Sequence, residues 1–205
     1  MQVYILKESN SDSRVAASPD TVKKMTDWGL NVVIQDNAGL NSNFSNEEYV
    51  KSGASISNEI TDISNSDLIL KINKPNEDEI ALMNEGSVLI ASLDPYNNSE
   101  TLNKLKDKGV TSFAMELMPR ITRAQSMDIL SSQSNLAGYK AVIDATYFFN
   151  KAMPMMMTAA GTIAPAKVMV FGAGVAGLQA IATAKRLGAI VSATDVRMAA
   201  KEQVE

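Results

Sequence analysis

The chain of 205 residues carries 19 Lys and Arg against 23 Asp and Glu, a net charge of −4 that gives no electrostatic reason to expect nucleic acid. It has no cysteine, which excludes disulfides and thiolate chemistry, and no histidine, which removes the commonest metal ligand and the usual acid–base group near neutral pH, so no metal site is expected. Its 45% hydrophobic content suits one large core or two modest ones; MQVYILKESN lacks a signal-like apolar region and no run reaches about eighteen apolar residues, so a soluble intracellular chain without a membrane span is expected.

Residues 1–135 read as a separate α/β domain. Val3 to Leu6 forms a first strand, Pro19 to Trp28 a helix with proline near its start, and Val32 to Gln35 a second strand after Gly29. Asp67 to Ile72, Ser87 to Ser92 and Val110 to Ala114 supply further short strands. Between them, Asn76 to Met83 and Ser99 to Lys108 have helical character, the latter with Ser99 as cap and Leu102 and Leu105 on one face. Such alternation predicts a mostly parallel, doubly wound sheet. This stretch has no glycine fingerprint, so a Rossmann-like shell without a nucleotide is expected.

The run from Pro119 to Asp128 crowds several polar groups. If a helix begins near Thr122, Gln125, Asp128 and Ser132 share a side while Ile121, Met127 and Leu130 face inward, with Arg120 just outside. Two readings stand at this point: a capped surface helix with a solvated Arg–Asp pair, or a polar loop whose donors and acceptors suit a carboxamide. Residues 136–165 form a connector, with a helix from about Leu136 to Phe149. Methionines 153 and 155–157 read as the core of an interdomain helix pair beside the small residues Ala159, Ala160 and Gly161, or else as an adaptable surface; Pro165 marks a helix stop. A cleft between two α/β domains is a natural place for a cofactor.

Residues 166–205 open with the most informative stretch of the chain. Val168 to Phe171 reads as a buried parallel strand, broken at once by Gly172. In the spacing Gly172, Gly174, Gly177, the first glycine permits a sharp turn, the second lets backbone approach a pyrophosphate, and the third lets a helix pack close to the strand. Free N–H groups and the helix dipole there favour phosphate. The helix runs through Leu178, Ile181 and Lys185 to Gly188, and a second buried strand, Ala189 to Thr194, ends in Asp195. Lying about twenty residues beyond the loop, Asp195 suits the adenosine ribose hydroxyls and repels a 2′-phosphate, which favours NAD(H); the nearby Arg197 pulls the other way. A glycine-rich turn in an ordinary αβ unit, or a Rossmann unit for flavin or S-adenosylmethionine, remains open at this level. Two strands fall short of a mononucleotide half, so the second domain is expected to be incomplete: a fragment, or a chain completed by a partner.

The segments PRITRAQSMDILSSQSNLAGYKAVI, MPMMMTAAGTIAPAKVMVFGAGVAGLQAIATAKRLGAIVSATDVR and KEQV resemble the alanine dehydrogenase/transhydrogenase family, and within it the NAD(H)-binding domain of the alpha subunit of proton-translocating NAD(P) transhydrogenase. The resemblance implies two Rossmann-like, doubly wound parallel-sheet domains joined by helices, usually in a homodimer. It implies direct hydride transfer between NADH bound here and NADP⁺, that is NADP(H), on a partner domain, coupled to proton movement through a membrane domain. The location implied is cytoplasmic and peripheral to the inner membrane. By motif match, Arg120, Gln125, Asp128 and Ser131 resemble the loop that positions the nicotinamide and its ribose, with Gln125 nearest the opposing nucleotide and none acting as a base. Gly172, Ala173, Gly174, Val175 and Gly177 resemble the pyrophosphate turn, and Asp195, Val196 and Arg197 the adenosine end. Alanine dehydrogenase shares the pattern: Arg14 and Lys71 match its substrate-binding residues, but its catalytic histidine falls at Asp94. Arg14 and Lys71 are therefore expected to be structural, paired with carboxylates. A noncatalytic nucleotide-binding module is the other alternative.

Overall fold

A computed structural model describes residues 1–9 and 11–204; Asn10 and Glu205, the last residue of the expected second domain, lie outside them. The chain divides into two compact units, Met1–Met127 and Asp128–Glu205. The division falls ahead of residue 135, where the sequence reading closes its first domain, because the helix expected from Leu136 already begins at Ile129.

In the first unit, strands β1 (Gln2–Ile5), β2 (Asn31–Gln35), β3 (Ser55–Ser57), β4 (Leu68–Leu70), β5 (Val88–Ala91) and β6 (Thr111–Ala114) form one sheet in the order β3-β2-β1-β4-β5-β6. Every neighbouring pair is parallel. The helices of this unit are α1 (Pro19–Asp27), α2 (Asn46–Lys51), α3 (Glu77–Leu82) and α4 (Ser99–Asp107). Successive residues of a strand face opposite ways, and the continuous apolar run Val3 to Leu6 feeds two cores. Tyr4 and Leu6 pack with Ile69, Ile80, Leu89 and Leu105, whereas Val3 and Ile5 pack with Val22, Ile34 and Tyr49. The sheet is thus covered on both faces, as the alternation of elements predicts.

Capping explains where the helices start. Ser18 accepts from the Thr21 N–H at the head of α1, and Ser45 with Glu48 and Asn76 with Glu79 form reciprocal capping boxes on α2 and α3. Ser99 does not cap α4; it is the first helical residue, and the capping position falls to Asn98, which makes no side-chain cap bond.

The second unit contains α5 (Ile129–Phe148), the hairpin β7 (Met156–Thr158) and β8 (Gly161–Ile163), then β9 (Lys167–Phe171), α6 (Val175–Arg186), β10 (Ile190–Thr194) and α7 (Lys201–Val204). β9 and β10 pair in parallel, with Val168 opposite Val191 and Phe171 opposite Thr194. This is the strand, helix, strand unit expected from the glycine spacing, and both units are α/β with parallel strands.

Three expectations need correction here. The methionine run is not the core of a helix pair: Met156 and Met157 lie in β7, and Met157 is 74% exposed. Thr158 faces Gly161 across a two-residue turn, and its hydroxyl bonds the Ala160 N–H and the Gly161 carbonyl, so the small residues close a hairpin. Pro165 consequently stops no helix; it follows β8. Finally, β9 and β10 are not buried strands: Val170 lies toward Gly177 of α6, and the alternate residues Met169 and Phe171 are exposed.

Candidate functional site

Each glycine between β9 and α6 has a different physical task. Gly172 takes φ +94°, a backbone region that side chains disfavour, and its N–H donates to the Thr194 carbonyl at 2.7 Å. A Cβ on Gly177 would lie 1.8 Å from the Gly172 carbonyl oxygen, so the first turn of α6 sits directly against the loop. Gly174 differs: its φ of −78° is ordinary, and a Cβ there would meet nothing within 4 Å. It stands at the N-cap of α6 without a side-chain capping bond, so that helix end presents backbone donors to open space beside it. Val175 is the first helical residue and is exposed. Such a helix end, without a side-chain cap, can accept an anionic group.

Ala173, buried at 1% exposure, donates its N–H to Asp195 Oδ2 at 2.7 Å and so ties the turn to the end of β10. Asp195 Oδ1 accepts from the Arg197 backbone N–H at 2.8 Å and from Nε at 3.0 Å, while Oδ2 also accepts from Arg197 Nη2 at 3.0 Å. These donors, the guanidinium first and the backbone N–H groups next, hold the Asp195 carboxyl well below the usual carboxylate range, and the Arg197 pKa is raised in turn. The carboxylate is ionised throughout the neutral range. Asp195, Arg197, Ala173, Thr194 and Lys201 line a pocket of about 350 Å³ in this unit, and Val196 is wholly exposed nearby in sequence.

No α-helix begins near Thr122, and Ile121, Met127 and Leu130, expected to face inward from it, are exposed. Thr122–Met127 is a 3-10 segment, and Asp128 is the N-cap of α5. Asp128 Oδ1 accepts from the Ser131 N–H at 2.9 Å and Oδ2 from the Ser131 hydroxyl at 2.6 Å, which joins two of the candidate residues in one cap. Ser131, absent from the spacing argument, is therefore the partner of Asp128, whereas Ser132 bonds the Ile129 carbonyl. Arg120 and Gln125 belong to the first unit, where both are exposed. One residue escaped the sequence reading altogether: a Cβ on Gly138 of α5 would lie 2.1 Å from the Ala176 carbonyl oxygen, so this glycine allows α5 to cross α6 at close range.

In the first unit, Arg14 and Lys71 are both paired with carboxylates. Arg14 grips Asp12, with Nη2 to Oδ2 at 2.6 Å, and this holds the Asp12 carboxyl well below its ordinary range. Lys71 Nζ meets Glu79 at 2.6 Å, with both side chains under 10% exposed. Asp94 occupies a left-handed turn at φ 46°, and its N–H and that of Leu93 donate to one oxygen of Glu116. No group of acidic residues capable of holding a metal ion occurs among the described residues, and no helix among them is long and apolar enough to cross a membrane.

Comparison with known proteins gives this geometry its context. Residues 4–137 match the family described as "Alanine dehydrogenase/PNT, N-terminal domain", and residues 141–205 match "Alanine dehydrogenase/PNT, C-terminal domain". An NAD(P) transhydrogenase subunit alpha polypeptide of Rhodospirillum rubrum is 52% identical over 212 aligned positions, which take in 100% of this chain and 55% of that protein. The alanine dehydrogenase of Bacillus subtilis is 30% identical over 200 positions, 96% of this chain and 52% of that protein. The crystal structure of the transhydrogenase from Sinorhizobium meliloti is similar with a TM-score of 0.96 at 56% identity, covering 100% of this chain and 61% of the other. The chain thus spans a little over half the length of these two curated relatives.

Proposed function

The chain belongs to the alanine dehydrogenase/PNT family, and from that premise we propose that it is the NAD(H)-binding portion of a proton-translocating NAD(P) transhydrogenase. The observation that carries this reading is the open N-terminus of α6 at Gly174, set beside an ionised Asp195 held by the same turn. A Cβ would fill the space that a pyrophosphate needs, and the backbone N–H groups there match its charge. Asp195 supplies acceptors for the two hydroxyls of the adenosine ribose and a charge that rejects a 2′-phosphate.

When bound, the reduced nicotinamide supplies a hydride. The residues of this chain have no proton to move for that transfer, since exchange between two nicotinamide rings needs chiefly alignment and exclusion of water. Arg120, Gln125, Asp128 and Ser131 are the residues for orientation, with Asp128 and Ser131 already locked to each other at the head of α5. Gln125, exposed in the first unit, is the residue to meet the second nucleotide. The partners in this reading are an NADP(H)-binding domain and a membrane domain, with a second copy of the chain in a homodimer, and the location is the cytoplasmic side of the inner membrane.

Oxidative deamination of alanine is the competing reading, favoured by Arg14 and Lys71 at matching positions. Against it stand the absence of any histidine from the sequence and the carboxylate partners on both cations. Titrating the full-length protein with NADH and NADPH by nicotinamide fluorescence tests the nucleotide assignment: NADH should bind at least tenfold tighter. Equal or reversed affinities would contradict it.

A further inference from the structure

An ionised carboxylate offers about four acceptor positions. All four on Asp195 are taken within the chain: two by the backbone N–H groups of Ala173 and Arg197, and two by Nε and Nη2 of the Arg197 guanidinium. The two kinds of donor differ in permanence. The backbone donors are fixed by the glycine turn and by the bend at Val196 after β10. The guanidinium is carried on a side chain that is 61% exposed, whereas the carboxylate it covers is only 9% exposed. A ribose diol also presents two hydroxyl donors, and it would enter the pocket that Asp195 and Arg197 both line.

We propose that Arg197 is a displaceable guard on Asp195, its guanidinium filling the two acceptor positions that a ribose diol requires and leaving them as the nucleotide seats. The inference rests on the NAD(H) reading above and assigns Arg197 a role in how tightly the diol is held. A diol replaces both guanidinium bonds with two hydroxyl bonds, so the carboxylate remains satisfied. A ribose with a 2′-phosphate has lost one of those donors and brings negative charge to the carboxylate. It therefore cannot satisfy the carboxylate as the diol does, whereas the closed pair costs NAD(H) only the rupture of an exposed ion pair. The forked geometry matters here, because the guanidinium meets the two carboxylate oxygens with two separate N–H groups held at fixed spacing, whereas an ammonium offers a single nitrogen.

The test uses the full-length protein with Arg197→Gln and Arg197→Lys, measuring NADH affinity at low and high ionic strength. Since exposed ion pairs are weak, removing the guard should tighten NADH binding by about two- to fivefold at low salt. That gain should shrink as salt screens the pair in the wild-type protein. Arg197→Lys should fall between wild type and Arg197→Gln. Weaker or unchanged NADH binding in Arg197→Gln, or a gain that persists at high salt, would overturn the proposal. If the wild-type protein and both variants all fail to bind NADH, the nucleotide reading itself falls and the guard with it. Binding by all three with a loss in Arg197→Gln removes the guard alone.

Discussion

At the scale of single residues, the cations that match the alanine dehydrogenase pattern show how a shared position can serve a different end. Lys71 is buried against Glu79, and Glu79 also accepts the Asn76 N–H at 2.8 Å within the α3 capping box. Removing only the acidic partner strands a buried ammonium. Glu79→Gln should therefore destabilise the first unit by about 3–5 kcal/mol, as broken buried pairs do. Adding Lys71→Met should recover most of that loss, because the pair's desolvation cost disappears along with its attraction. Urea unfolding of the single and double variants measures both. A double variant no more stable than Glu79→Gln would show that the pair is not the source of the effect. Arg14 and Asp12 form the more exposed counterpart, and their pairing, like that of Lys71, was legible from the sequence as a pairing with carboxylates. The identities of the partners were not, since Asp12 lies two positions from Arg14 but Glu79 reaches Lys71 only after the chain turns into α3.

At the scale of elements, the unit of β9, α6 and β10 holds two glycines of one motif in opposite steric settings. Gly177 cannot take a methyl group without collision with the Gly172 carbonyl, whereas Gly174 has room for one. Gly177→Ala should destabilise the second unit by several kcal/mol, in the class of substitutions that force backbone apart. Gly174→Ala should cost no more than about 1 kcal/mol, the size of an N-cap change, yet weaken NADH binding by at least tenfold. Thermal unfolding beside NADH titration distinguishes them; a Gly174→Ala protein that binds normally would remove this helix end from the site. The motif was readable because its spacing encodes a local turn. The α5 start and the β7–β8 hairpin were not read correctly, for different reasons. Asp128 is both a polar residue of an apparent site and an N-cap, and the cap decides where α5 begins. Methionine packs equally well in either setting, so the run at 155–157 carries no period that distinguishes a strand from a helix. The α2 helix was missed although Ser45 and Glu48 spell a capping box, because only six residues follow before the chain turns again.

At the scale of the whole molecule, family membership and the chemistry of the sequence point the same way. Two α/β units match the two family descriptions in order, and Asp94 stands where the resemblance to alanine dehydrogenase puts its catalytic histidine. Hydride exchange between nucleotides, the proposed reaction, needs no proton-transfer group at that position. Five of the six strands of the first unit were legible, since a buried parallel sheet shows itself as short apolar runs separated by capped helices; β3, three residues reading Ser-Ile-Ser, carries no such run. The exposed face of β9 was not, because the apolar run Val168 to Phe171 reads identically whether one side or both are covered. The most direct measurement combines the full-length protein with an NADP(H)-binding domain from a transhydrogenase and follows hydride transfer from NADH to NADP⁺, beside a separate assay of alanine with NAD⁺. We expect transfer only when both nucleotide-binding components are present, and no alanine-dependent NADH formation. NADH formed from alanine, or no transfer by a protein that binds NADH, would contradict the proposed function.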